Sequence, residues 1–168
     1  LIPSRRLGDL FQLQLSLVFA FLSSAFTFLI FSFSVTILGY YAFWSVSCLT
    51  FFSIGSGVTI VDYCSFICIC YNATIVAAEL FLSVIPENLL SGCNQLGSVI
   101  LGDSFTTIGS SAFRNTALTS VTIPDSVTTI GSSAFLGATA LRAVTFGSGL
   151  TSIGSSAFKN TALTSVTI

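Results

Sequence analysis

The 168-residue chain has no histidine and no methionine, and it carries only five Lys or Arg and six Asp or Glu. Without histidine, the commonest general base and metal ligand near neutral pH is missing. The acids are scattered singly, so no paired-carboxylate site forms, and neither a phosphate-binding loop nor a nucleophile elbow is present. These absences exclude the usual enzyme designs and leave no candidate catalytic, cofactor-binding or metal-binding residue. A net charge of −1 offers no basic surface to nucleic acid. Charged residues make up 7% of the chain, against about 25% in a typical soluble domain. The five cysteines, an odd number without a regular framework, do not read as a disulfide scaffold. Cys64, Cys68 and Cys70 stand among Phe66, Ile67, Ile69 and Tyr71 and read as buried thiols rather than a metal cluster. With no methionine and an end at Ile168 inside a repeat, the sequence reads as a fragment.

Hydrophobic residues make up 53% of the chain, and 12 of the 17 phenylalanines precede residue 82. Residues 10–61 contain no charge at all. Residues 10–31 and 35–54 are runs of 22 and 20 residues, each enough to span a bilayer at about 20 residues. Residues 1–82 are therefore predicted to be a hydrophobic, α-helical N-terminal segment, with contact to the membrane through residues 10–54. Arg5 and Arg6 before the first run favour a cytoplasmic N-terminus. The same layout suits a signal peptide or anchor, with Ser23, Ser24 and Ala25 at a cleavage site. In an exported chain Asn72-Ala73-Thr74 is a glycosylation acceptor. Translated non-coding sequence is the bland alternative, because pyrimidine-rich codons give this Phe/Leu/Ser alphabet.

Residues 83–168 are organised by a repeat. Phe113, Phe135 and Phe158 mark steps of 22 and 23 residues, and a worn copy from Ile85 makes about four. Stacking the copies aligns Ile85, Ile108, Ile130 and Ile153. It also aligns Leu90 with the three phenylalanines, and Leu96 with Leu118, Leu141 and Leu163. Val99, Val121, Val144 and Val166 form a fourth column, and Leu101, Ile123, Phe146 and Ile168 a fifth. Phe105, Val127 and Leu150 add a sixth, and Leu89, Ala112, Ala134 and Ala157 a small-residue seventh. A unit of this size cannot bury its own apolar face, so stacked units share one continuous core. Upstream, Val76, Ala78 and Leu82 continue the frame weakly.

Leu-x-x-Val-x-Ile alternates and predicts a short strand. Ser-Ser-Ala-Phe, with two capping hydroxyls, predicts a short helical turn. Gly109, Gly131 and Gly154 are placed at tight bends. Asn115, Gly137 and Asn160 stand where the chain turns back, as residues that tolerate positive φ.

Ile108-Gly-Ser-Ser-Ala-Phe113 followed by Leu118-Thr-Ser-Val121-Thr-Ile123-Pro124-Asp125 closely resembles the BspA-like class of leucine-rich repeats. Gly92-Cys93 with Leu96 matches the class's frequent Gly-Cys-x-x-Leu, and Thr116, Ala138 and Thr161 replace the cysteine with other small residues. The resemblance covers residues 85–168. It implies a leucine-rich-repeat solenoid of short strands and turns, and a surface or secreted protein that mediates adhesion and protein binding. The expected location is membrane-anchored or secreted, with the repeats extracellular.

The non-core strand positions form neutral ladders: Ser98, Ser120, Ala143 and Ser165; Ile100, Thr122, Thr145 and Thr167; Gly97, Thr119, Arg142 and Thr164. Ser98, Ser120, Thr122, Arg142, Thr145, Ser165 and Thr167 are the candidate binding face, with an unidentified protein or glycan as partner. A purely structural array is the alternative, since threonine is also a good solvent-facing strand residue. Recognition of an ice or crystal lattice is a third, weakened by Ile100 and Arg142. Asp103, Asp125 and Ser148 at matching loop positions are a thin case for Ca²⁺. The last strand is expected to pair edge to edge with other copies.

Overall fold

A computed structural model describes residues 28–31, 37–38, 49–56, 60–61 and 75–167. Among the described residues twelve strands follow one another: β1 (Phe28–Phe31), β2 (Ile37–Leu38), β3 (Phe51–Ile54), β4 (Ile60–Val61), β5 (Ala77–Leu80), β6 (Ser98–Leu101), β7 (Thr107–Ile108), β8 (Ser120–Thr122), β9 (Thr129–Ile130), β10 (Ala143–Thr145), β11 (Ser152–Ile153) and β12 (Ser165–Thr167). Every pairing is parallel and joins equivalent strands of successive coils. The longer strands form one side of a solenoid, in the orders β1-β3-β5-β6 and β8-β10-β12. The two-residue strands form a second side, β2-β4 and β7-β9-β11, which the Ile85–Ile108 bridge extends by one coil.

The core is the set of predicted columns. Phe113 and Phe135 are stacked with ring centroids 5.2 Å apart, Phe135 and Phe158 with centroids 5.1 Å apart. Leu90 lies fully buried at the foot of that column. The leucine, valine and isoleucine columns follow it inward through the coil of Leu141 and Val144, while Ile153 and Val166 of the last coil are exposed; Leu82 joins Phe105 and Val127 in theirs. Val76 departs from the expected frame. Ile75, Ala78 and Leu80 are the inward residues, while Val76 is half exposed.

The same coils continue upstream of residue 82. Long strands begin at residues 28, 51 and 77, in register with one another and with Ser98. Leu49, Phe52 and Ile54 are buried in the Leu, Val and Ile columns. The expected α-helical segment is corrected accordingly: Phe28–Phe31, Ile37–Leu38 and Phe51–Ile54 are strands. Among the described residues there is no helix long and apolar enough to cross a membrane. The spans expected over 10–31 and 35–54 contain those strands, and the rest of both runs lies outside the described residues. So do Arg5, Arg6, Ser23 to Ala25, the Cys64–Cys70 group and Asn72–Thr74.

The turns replace the predicted short helices, for a reason visible in their hydrogen bonds. Ser111, Phe113 and Asn115 donate their amides to Ser132, Ala134 and Leu136 of the next coil, at 3.0, 2.8 and 2.9 Å. Between them, Ala112 and Arg114 bond back within the turn, to Gly109 and Ser111. Alternate amides thus run along the solenoid axis, and a helix would consume all of them locally. This alternation needs left-handed backbone twice per turn. Ser111, Ser133 and Ser156 lie at φ 55–58°, and Asn115, Gly137 and Asn160 at 56–73°.

Gly109, Gly131 and Gly154 serve a different purpose from the expected bend. A Cβ at each would lie 2.5–2.6 Å from backbone atoms of the preceding coil, so glycine allows the coils to touch there. Cys93 is disulfide-bonded. Thr116, in the same column, is buried and donates its hydroxyl to the Phe113 carbonyl at 2.9 Å.

Candidate binding face

Alternation within each long strand decides which side chains leave the core. In β8, Val121 is buried while Ser120 and Thr122 are exposed. In β10, Val144 is buried and Thr145 exposed. The pairing places Ala143 between Ser120 and Ser165, and Thr145 between Thr122 and Thr167. Parallel neighbours lie about 4.8 Å apart, so Thr122, Thr145 and Thr167 form a regular row of hydroxyls, and Ser120 and Ser165 flank Ala143 in the row beside it. Arg142 enters β10 one residue earlier and is exposed on the approach. Its amide bonds to the Thr119 carbonyl at 2.9 Å, which fixes the start of the strand.

All seven predicted residues, Ser98, Ser120, Thr122, Arg142, Thr145, Ser165 and Thr167, are exposed on this one side of the solenoid. None of their side chains is hydrogen-bonded to another described residue. Other threonines behave differently: Thr128 and Thr151 on the short-strand side, and Thr164 beside the ladder, tie their hydroxyls to carbonyls of the preceding coil.

The structure brings six of the seven together and sets Ser98 apart. β6 and β8 share no hydrogen bond, so the long sheet is interrupted between Ser98 and Ser120. An open groove of about 530 Å³ occupies the break, lined by residues 97–101, 119–122 and Pro124. Nothing in the sequence marks it, because Ser98 to Ser120 is the same 22-residue step as Ala143 to Ser165. Beyond the groove the outward rows become mixed, Phe28, Phe51, Ala77 and Ser98 in one and Ile30, Ser53, Glu79 and Ile100 in the other. Ile100, Ile30 and Phe28 are more than half exposed, and the Phe28 and Phe51 rings meet at 4.7 Å.

The loop acids link coils. Asp125 accepts hydrogen bonds from the Ser148 amide at 2.7 Å and the Ser148 hydroxyl at 3.1 Å. These two bonds, the backbone one foremost, hold the Asp125 carboxyl below its ordinary pKa of 3.8. Among the described residues no three His, Cys, Asp or Glu side chains come together to hold a metal.

The BspA type leucine rich repeat region, in six copies, matches residues 18–137 and 70–168. The chain belongs to this family. Its solenoid is similar to that of a leucine-rich repeat protein from Bacteroides ovatus, at 30% identity and a TM-score of 0.71 over 80% of this chain. The chain spans about a third (34%) of that protein's length. A leucine-rich repeat protein of T. pallidum shares the fold, at 21% identity and a TM-score of 0.56, over 83% of this chain and 57% of the other. No curated protein matches the chain. The BspA-type repeats thus begin well upstream of residue 85, where the sequence resemblance starts.

Proposed function

We propose that this chain is an extracellular binding module whose outward long-strand face captures an uncharged protein or glycan surface, in adhesion. The observation that carries the reading is the row Ser120, Thr122, Thr145, Ser165 and Thr167, exposed and without internal hydrogen bonds. Thr128, Thr151 and Thr164 turn their hydroxyls to carbonyls of the preceding coil, whereas this row presents its hydroxyls outward in register. The paired strands supply rigidity, so little side-chain entropy is lost on binding. Arg142 adds the one cation of the row. The disulfide at Cys93 supports an oxidising compartment outside the cytosol. We take the hydrophobic N-terminal half, from Phe28 onward, as part of the same solenoid rather than as a separate anchor.

The test is capture of cell-surface proteins and of an immobilised glycan panel by the full chain, compared with Thr145→Glu and Thr167→Glu. A carboxylate buried against a neutral partner has no counter-charge, so its desolvation opposes binding. Capture is expected to fall at least about tenfold in each variant. Unchanged capture by both overturns this face as the site.

A further inference from the structure

We infer that the break between β6 and β8 is a receptor for an extended, uncharged peptide segment, which inserts as an additional parallel strand. The inference rests on the reading of the long-strand side as the binding side, and it names a partner chemistry and a location on that side. Elsewhere along this sheet the coils are tied by main-chain bonds. Ser98 donates to Val76, Gly102 to Leu80, Ser165 to Arg142 and Phe146 to Thr167. Between β6 and β8 none of these bonds forms. Repeating the register of the neighbouring coils turns the amides of Val99 and Leu101 into the groove from one edge. The amides of Ser120 and Thr122 face them from the other.

The same two coils remain joined away from the groove. Gly109 donates to Ile85, Asn88 to Ser110, Leu90 to Ala112 and Gly92 to Arg114, at 2.7–2.9 Å. The break is therefore a wedge, closed at the turns and open at the sheet. Val99 and Leu101 are only half-buried at its floor, whereas Val121, Ile123 and Val144 are buried. An occupant has to satisfy two bare strand edges and place an apolar side chain between Val99 and Val121. It meets no charged side chain in the lining. An extended peptide alternating small polar and apolar residues meets all three demands. Strand β10 already shows the fit, since its Ala-Val-Thr segment pairs on both edges with Ser-Val-Thr.

The Cα traces of β6 and β8 approach within 8 Å. A strand between them needs about 9.6 Å, twice the usual spacing. The wedge must therefore open by at least about 2 Å, hinging at the intact turn bonds.

The probe is a synthetic Leu-Thr-Ser-Val-Thr-Ile peptide, the sequence of residues 118–123, added to the full chain. Hydrogen exchange of the Val99, Leu101, Ser120 and Thr122 amides is expected to be fast in the free protein and slowed at least about tenfold by the peptide. The same peptide with N-methylated Ser and Val should give no protection, since the methyl groups remove its donors without touching the protein. Thr122→Pro deletes an amide that has no partner in the free chain, and should weaken peptide binding roughly tenfold. Amides already protected without peptide overturn the inference, as does equal protection by the N-methylated peptide. Thr145→Glu and Thr167→Glu separate the two readings. If they abolish partner capture while the peptide fails to bind, the face stands and the groove falls.

Discussion

Phe135 is the most informative single residue, because its ring is sandwiched between Phe113 and Phe158 with interplanar angles of 10° and 5°. It has no exposed surface. Deleting a buried phenylalanine to alanine costs about 3–5 kcal/mol, cavity included. Each aromatic pair is worth about 0.5–1.5 kcal/mol beyond area burial, and Phe135→Ala breaks two stacked pairs at once. The cost is therefore expected at the upper end, about 5 kcal/mol. Phe158 is half-buried, stacked on one side only, with an edge contact to Phe146 at 5.8 Å. Phe158→Ala should cost about 2–3 kcal/mol on the same reasoning. Urea unfolding followed by far-UV circular dichroism measures both, provided the slope with denaturant is common to wild type and variants. Equal costs for the two, or a cost below about 2 kcal/mol at Phe135, would refute the idea that each ring is held mainly by the coils above and below it.

Gly131→Ala places a Cβ 2.6 Å from the Ser110 nitrogen, and the coils must separate to admit it. A loss of about 1–3 kcal/mol is expected in urea unfolding, and a neutral result would contradict the close approach. Ser133 sits at φ 58°, where an L side chain is strained by about 1–2 kcal/mol. Ser133→Gly should therefore raise stability by about 0.5–1 kcal/mol after its own entropic penalty, and destabilisation would show the serine side chain to be needed. Asp125 has its pKa lowered in the folded state by the bonds from Ser148. A depressed carboxylate contributes stability that is present above its unfolded pKa and lost as the pH falls through the folded one. The Tm of wild type should exceed that of Asp125→Asn above about pH 4, and the two should converge toward pH 2. A gap that widens on acidification would reverse the sign and sink the assignment.

How much of the fold the sequence discloses depends on what each coil places outward. From Ile85 on, outward positions are mostly Ser, Thr, Asn or Arg, with Ile100 and Ala143 as exceptions, and inward ones are mostly Leu, Val, Ile, Phe or Ala, so periodicity reads directly as columns. Upstream, the outward positions of the first two long strands are Phe28, Ile30, Phe51 and Ser53, three of the four apolar. With apolar residues on both faces the period-2 alternation vanishes, and a chargeless run looks like a membrane span by hydropathy alone. The frame is nevertheless written there. Leu38-Gly39-Tyr40-Tyr41-Ala42-Phe43 repeats Ile108-Gly-Ser-Ser-Ala-Phe113, and Leu38 pairs with Val61 in the short sheet. Leu49-x-x-Phe52-x-Ile54 and Ile75-x-x-Ala78-x-Leu80 repeat Leu118-x-x-Val121-x-Ile123. Spacing conceals them, since long strands start 23 and then 26 residues apart before settling at 21–23. A search that fixes the period loses the register after one irregular step, whereas the strands on either side of that step stay paired in register.

The turns and the groove were hidden for a deeper reason. Side-chain columns report what each coil buries, not where its amides point. Ser-Ser-Ala-Phe satisfies the sequence rules for a helix start, yet its alternate amides are claimed by the next coil. That competition exists only when coils stack, so no single repeat can display it. The break after β6 obeys the same logic in reverse. Val99 and Val121 occupy one column and their strands are 22 residues apart, as at an intact junction, yet the main-chain bonds are missing. The candidate face was legible because exposure follows from alternation along one strand. Its interruption was not, because hydrogen bonding between coils belongs to neither strand alone. A site built from side chains can therefore be anticipated from columns in this family, while a site built from bare strand edges has to be found in the assembled solenoid.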